Sequence, residues 1–172
     1  MSAPPCDWSP FVVVPDGAKA PSPRSLSGPH GVTDRMRIAA FAELQAREAF
    51  RWGAATFDDA SPELRQAWRD LADEEDRHLG WLLDRMEALG ASPADRAVSA
   101  HLWRGLTGCD NAHSFAWYMA KAEDRGRIAG ERFGESLASL DPTSAELFAR
   151  IAADEADHID LALRFYPQSD RA

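Results

Sequence analysis

The sequence contains one short motif twice, Glu-x-x-His, at Glu75–His78 and at Glu155–His158. The two copies stand 80 residues apart (75 to 155), and a further glutamate, Glu43 or Glu123, precedes each copy by 32 residues (43 to 75, 123 to 155). Residues three apart on a helix lie about 60° apart around its axis, so the glutamate and histidine of each motif share one face. The repeat therefore predicts two copies of one unit: a helix with a glutamate, then a helix with Glu-x-x-His.

Capping signals around the repeat predict four long helices. The predicted starts are Thr33 or Asp34, Ser61-Pro62, Asp110 or Asn111, and Asp141-Pro142. The predicted ends are Phe57 for the first helix, Leu89-Gly90 for the second and Pro167 for the fourth. A short helix from Ser92-Pro93 through Trp103 is expected in the long connection between the second and third helices. Apolar positions recur in steps of three and four, so we expect an all-α four-helix bundle with an internal two-helix duplication.

The prolines divide the chain into regions. Seven of the 11 prolines fall within residues 1–32, and such a density excludes a helix there. Trp8 and the run Phe11 to Val14 are too apolar for a solvated tail, so we expect this middle part to dock on the main body. The predicted organisation is an irregular Pro-rich arm (1–32), the bundle (33–167) and a short tail (168–172).

Charge and composition restrict the partners. The net charge of −9 does not suit the phosphate backbone, so nucleic acid is not an expected partner. No apolar run is long enough to span a membrane, and no signal peptide is recognisable, which together predict a cytoplasmic protein. Two cysteines, Cys6 and Cys109, do not make a disulfide framework.

The acids and histidines of the repeat fall on positions that the apolar rhythm assigns to the core. Four carboxylates buried together without cations would be strongly destabilising. Two divalent cations resolve this conflict: each takes one terminal carboxylate and one histidine, and the other two carboxylates bridge. Carboxylate and imidazole ligands favour iron, with manganese as the alternative, and the lack of thiolates disfavours structural zinc. The predicted ligands are Glu43, Glu75, His78, Glu123, Glu155 and His158.

The alternative interpretation places these glutamates on solvated faces and lets the histidines fill gaps in the core. A single Glu-x-x-His motif usually has that explanation. Two copies, each preceded by a glutamate at the same offset, favour the two-metal site.

The chain resembles the ferritin-like di-iron carboxylate proteins, whose signature is Glu on two helices and Glu-x-x-His on two others. More narrowly, Glu43 to Ala46, Asp73 to His78 and Glu123 to Gly126 are similar to an uncharacterised bacterial ferritin-like family near the di-iron tRNA hydroxylases. The resemblance covers residues 34–166 and implies the same six ligands. It also implies that the acid before each motif, Glu74 or Asp154, hydrogen-bonds the histidine of the other half.

The expected function is oxygen activation at two iron ions, with hydroxylation or oxidation of a small organic substrate. Iron handling, as ferroxidase or peroxide scavenger, is the first alternative, and tRNA hydroxylation is the second. Dioxygen, an electron-donor protein and a second copy of the chain are further expected partners. The substrate pocket is expected beside the metals and against the third long helix, where Gly126 and Gly130 follow Glu123 by three and seven residues and share its inward face. The other pocket candidates are Ala46, Arg47, Phe50 and Arg127. Both arginines could equally hold a carboxylate in an ion pair.

Overall fold

A computed structural model describes residues 4–167, and all regular elements of that part are helices. They are α1 (Gly31–Thr56), α2 (Pro62–Ala88), α3 (His101–Leu106), α4 (Ala112–Leu137) and α5 (Pro142–Phe165). The all-α fold class is therefore confirmed. The order of two long helices, a long connection and two more long helices is that of a ferritin-like bundle.

Local capping explains where the long helices begin. The Asn111 side-chain oxygen accepts a hydrogen bond from the Ser114 amide at 2.8 Å, and Asp141 accepts one from the Ser144 amide at 3.2 Å. Ser61 caps α2 through the amide of Leu64 at 3.2 Å. These caps satisfy amides that have no partner within the helix, so three predicted starts are confirmed. The remaining long helix, α1, starts at Gly31, two residues before the predicted Thr33.

The connection between α2 and α4 differs from its prediction. The expected single helix from Ser92-Pro93 through Trp103 is wrong: a 3-10 turn, Pro93–Asp95, follows Ser92, and Trp103 lies in a separate helix, α3. The chain is extended at Val98, whose amide donates to the carbonyl of Val12 at 2.9 Å and whose carbonyl accepts from the amide of Val14 at 2.9 Å. This pairing with the arm holds the connection out of helical geometry until α3 begins.

The Pro-rich arm packs through its apolar residues, as predicted. Phe11 is buried and its ring lies 5.1 Å from that of Phe41. The Trp8 ring meets Phe41 and Trp103 edge-on, with centroids 5.4 and 5.6 Å apart. Such edge-to-face contacts are favourable beyond the area that they bury.

A buried acid, Asp34, fixes the end of the arm to α1. It accepts hydrogen bonds from the Arg24 guanidinium at 2.7 and 2.8 Å and from Arg37 at 3.0 Å. The bond from Arg24, above all, holds the pKa of Asp34 well below its usual range. The arm is therefore attached by an ionic contact as well as by apolar packing.

The chain divides into two compact units, and the division falls inside α1 and α2. Unit 1 comprises the chain up to Phe50 together with Ala72–Gly108. Unit 2 comprises Arg51–Leu71 and the chain from Cys109 onward. The arm, bundle and tail predicted from the sequence are a different division, which stays a prediction, and the tail at 168–172 lies outside the described residues.

An aromatic cluster forms much of the core of unit 2. The Phe115 ring lies 5.1 Å from Trp68 and 5.3 Å from Phe57, and Trp52 completes the cluster. Gly53 leaves the space for it, because a Cβ atom there would lie 2.6 Å from the Phe115 ring.

Between residues 4 and 167, no helix has the length and apolar character needed to cross a membrane.

Candidate metal centre

In unit 1, α1 and α2 bring together two carboxylates and one imidazole. Glu43, Glu75 and His78 each offer a donor atom, and these atoms lie within 4.8 Å of one another. The side chains of Glu75 and His78 are fully buried, and Glu43 is half-buried. Within α2, the Nδ1 atom of His78 lies 3.5 Å from an oxygen of Glu75. We call these three residues the first triad.

In unit 2, α4 and α5 supply the same set of groups. Donor atoms of Glu123, Glu155 and His158 also lie within 4.8 Å of one another. All three residues are buried, with exposed fractions of 7%, 3% and 3%. The Nδ1 atom of His158 lies 3.2 Å from an oxygen of Glu155. These residues form the second triad, so all six predicted ligands are in buried or half-buried Glu-Glu-His groups.

The spacing within each triad fits a divalent cation. Metal–ligand bonds of about 2.1 Å place two neighbouring donors about 3.0 to 3.4 Å apart. The Nδ1 to carboxylate separations of 3.2 and 3.5 Å are close to that range. Each triad could therefore chelate one ion with two carboxylates and one imidazole, a set of ligands typical of iron and manganese sites.

The cysteines do not extend this set of ligands. Burial is the main cause that raises the pKa of the Cys6 thiol to about 11, and it also raises the pKa of Cys109. Neither cysteine belongs to a group of donor atoms close enough to share an ion, since such groups among the described residues contain only Glu and His. The donors available to a metal are carboxylates and imidazoles.

The predicted supporting acids, Glu74 and Asp154, are both half-buried. Glu74 lies 3.7 Å from the guanidinium of Arg77, one turn further along α2. The hydrogen bonds expected from each acid to a histidine of the other half stay a prediction.

The predicted pocket residues fall into different environments. Ala46 and Phe50 of α1 are buried. Gly126 is exposed, and a Cβ atom there would meet nothing within 4 Å, so its predicted inward position is wrong. Gly130 is half-buried, and a Cβ atom on it would lie 3.7 Å from the Phe148 ring, an ordinary contact. Close packing therefore requires glycine at neither α4 position.

The two arginines of the predicted pocket hold carboxylates. Arg47 donates to Asp76 and, at 2.8 Å, to Glu48. Arg127 donates to Glu131 at 2.7 Å and to Asp124 at 2.9 Å. These contacts are the ion-pair alternative that the sequence left open.

A cavity of about 540 Å³ lies between α4 and α5 in unit 2. Its apolar lining comes from small residues, Gly134 and four alanines, and its edge carries Glu131, Glu135 and Glu146. Neither the second triad nor the predicted pocket residues line it. The cavity is therefore not the predicted substrate pocket.

Sequence reasoning missed one residue beside the first triad, Trp81. Its ring centroid lies 5.4 Å from that of His78, with the ring planes 45° apart. Trp81 follows His78 by three residues on α2, so its position on the ligand face was available from the spacing. The contact restricts the orientation of the imidazole.

These features are those of an all-α protein with buried Glu and His clusters that could bind metal. The chain belongs to the family described as "Protein of unknown function (DUF455)", whose profile matches residues 3–171.

The chain is also similar to curated hydroxylases. It is 27% identical over 164 residues to the 3-demethoxyubiquinol 3-hydroxylase of Paracidovorax citrulli, covering 88% of this chain and 73% of that protein. It is 26% identical over 162 residues to the protein of the same name from Nitrosococcus oceani, covering 90% and 71%. The protein of that name from Psychrobacter arcticus is 27% identical over 149 residues, covering 81% and 66%.

Proposed function

We propose that the protein is a non-haem di-iron oxidoreductase that hydroxylates an organic substrate. The observation that carries this proposal is the occurrence of the same Glu-Glu-His triad twice in one chain. The similarity to proteins named as hydroxylases supports oxidation of an organic molecule over iron storage. The proposal that the two triads act together as one two-metal centre is an inference from the 80-residue repeat in the sequence.

In this proposal the first triad holds one iron ion and the second triad holds the other. Bound iron would supply the reduction of dioxygen, with its electrons returned by a donor protein. The carboxylates balance the charge of the cations, and the imidazoles complete their coordination. Burial of the triads excludes bulk water, which strengthens these electrostatic contacts and limits side reactions.

The substrate is proposed to be a small organic molecule. The relatives are named for a hydroxylation of 3-demethoxyubiquinol, so a reduced, electron-rich phenolic ring is the first class to test. A tRNA substrate fits the net charge of −9 less well, because binding its phosphates requires positive charge. Substrate entry beside Gly126 and Gly130 remains part of the proposal, since packing does not explain either glycine.

Metal content tests the ligands. The wild-type chain, loaded with ferrous iron without oxygen, is expected to hold about two ions. Glu75→Ala and Glu155→Ala should each lose at least one ion, because each removes a donor from a different triad. Asp73→Ala is the matched control, since this exposed acid of α2 is not a triad member. Full occupancy in both triad variants would reject the ligand assignment.

Oxygen consumption tests the activity. A hydroxylase should consume dioxygen continuously only when an electron donor and a phenolic substrate are present, and the product should carry oxygen from labelled dioxygen. Stoichiometric oxygen use that depends on ferrous iron alone would instead establish the ferroxidase alternative.

A further inference from the structure

The two halves of the repeat differ next to their histidines. Trp81 follows His78 by three residues, and at the equivalent place Leu161 follows His158. Trp81 is half-buried, whereas Leu161 is buried. Only the first triad therefore has an oxidisable side chain at this position.

Trp81 contacts the proposed metal ligand His78 and is also partly exposed to solvent. Its ring is in contact with the His78 imidazole, with centroids 5.4 Å apart, and part of its surface is exposed. Four other tryptophans have different surroundings: Trp8 packs with Phe41 and Trp103, and Trp52 and Trp68 pack with Phe57 and Phe115. The position of Trp81 thus combines a ligand contact with access to reductants in solution.

Indole is among the most easily oxidised side chains. When a site that activates dioxygen has no substrate to oxidise, its oxidised metal centre must be reduced by another electron donor. We propose that Trp81 is a redox relay residue that passes one electron to the metal centre in that situation. This inference rests on the proposed oxygen-activating function.

The relay consists of two one-electron steps. Trp81 gives one electron to the oxidised centre, which is reduced by one electron, and its indole N–H proton goes to water. The resulting neutral indolyl radical then takes one hydrogen atom from a soluble thiol or ascorbate, which restores the indole and oxidises that reductant by one electron. The exposed part of the ring is where this second step takes place.

Freeze-quenched electron paramagnetic resonance tests the relay. Protein loaded with ferrous iron is mixed with dioxygen without organic substrate, after its iron content has been measured. The wild-type chain should give a transient tryptophan radical that ascorbate removes. Trp81→Phe keeps an aromatic ring against His78 but should lose the signal, and Trp81→Tyr should restore a radical with tyrosyl character. Trp52→Phe is the control, since Trp52 packs against Phe57 and Phe115, and it should behave as wild type.

Peptide mass spectrometry gives a second measurement. After repeated oxygen exposure without ascorbate, oxygen adducts should concentrate on Trp81 in the wild type, and in Trp81→Phe they should move to His78. An unchanged radical and adduct pattern in iron-replete Trp81→Phe would overturn the relay while leaving the proposed function standing. Wild-type protein that binds iron but consumes no dioxygen would overturn both.

Discussion

At the level of single residues, the buried charges of Asp34 and Arg37 are important for the stability of the fold. Asp34 and Arg37 are both about 1% exposed at their side chains, and they are joined at 3.0 Å. Removing one member of such a pair leaves the other charge buried and uncompensated. The Asp34–Arg37 contact therefore matters for stability mainly because the loss of one partner leaves the charge of the other buried and poorly compensated.

Asp34→Asn is expected to lower the free energy of unfolding at neutral pH by about 3 kcal/mol, since it leaves buried Arg37 with only its longer contact to the Asp95 carboxylate, at 3.5 Å. The folded-state pKa of Asp34 is below its unfolded value, so its contribution is complete above about pH 5 and is lost as pH falls through the folded-state pKa. The difference between variant and wild type should shrink in the same direction. Urea unfolding between neutral and acidic pH measures it. Asp16→Asn, in the exposed pair with Arg104, is the control and should change little. A difference that is constant with pH would contradict this role for Asp34.

Two glycines of the long helices should respond oppositely to alanine. Gly53→Ala places a Cβ atom 2.6 Å from the fully buried Phe115 ring, so overpacking should destabilise the fold by about 1–3 kcal/mol. Gly126→Ala meets nothing within 4 Å and should stabilise α4 by about 0.4–1 kcal/mol, because alanine lowers the entropy of the unfolded chain. Denaturant midpoints of both variants measure the effects. Equal shifts of the same sign would contradict the packing described around Phe115.

At the level of elements, helix starts were predictable because caps are local. Ser61, Asn111 and Asp141 each bond an amide three residues away, so a few letters of sequence contain the signal. The extended connection at Val98 was not predictable in this way. Its hydrogen bonds go to Val12 and Val14, more than 80 residues earlier, and no local pattern records them.

The buried face of α4 shows a second limit of predicting structure from the spacing of residues in the sequence. From Glu123 onward, the buried residues of α4 are Glu123, Gly134 and Leu137, and Arg127 is half-buried. A step of four from Glu123 reaches Arg127, whereas the predicted step of three reached Gly126. Because a helix has 3.6 residues per turn, the next residue on the same face is either three or four positions further along the chain. The spacing alone does not decide between these two positions. The metal ligands were less ambiguous because an 80-residue repeat fixed them together.

The arm is expected to be a stabilising element. Trp8→Ala should lower the free energy of unfolding by about 2–3 kcal/mol, because it removes a ring that packs on Phe41 and Trp103. Val12→Ala changes a side chain that is 49% exposed and leaves the backbone bond to Val98 intact, so it should have a much smaller effect. Thermal unfolding of the two variants compares them. Equal Tm values of the two variants would show that the packing of Trp8 does not stabilise the folded protein.

At the level of the whole molecule, the two triads couple metal binding to folding. Each triad joins residues of two different helices, Glu43 with the α2 pair and Glu123 with the α5 pair. Unfolding separates these donors, so a cation binds the folded chain far better than the unfolded one. Burial of the same carboxylates is unfavourable without the cation, which makes the metal-free chain the less stable form.

Metal should therefore raise Tm in a concentration-dependent way. A ligand at 100 times its dissociation constant stabilises the folded state by about 2.7 kcal/mol for each independent site. Anaerobic titration with ferrous iron or manganese, followed by differential scanning calorimetry, measures the shift, and a chelator should reverse it. Glu75→Ala and Glu155→Ala should each reduce the shift, because each removes a carboxylate donor, and the double variant should lose it. A double variant that still gains the full wild-type shift would place the stabilising metal outside the two triads.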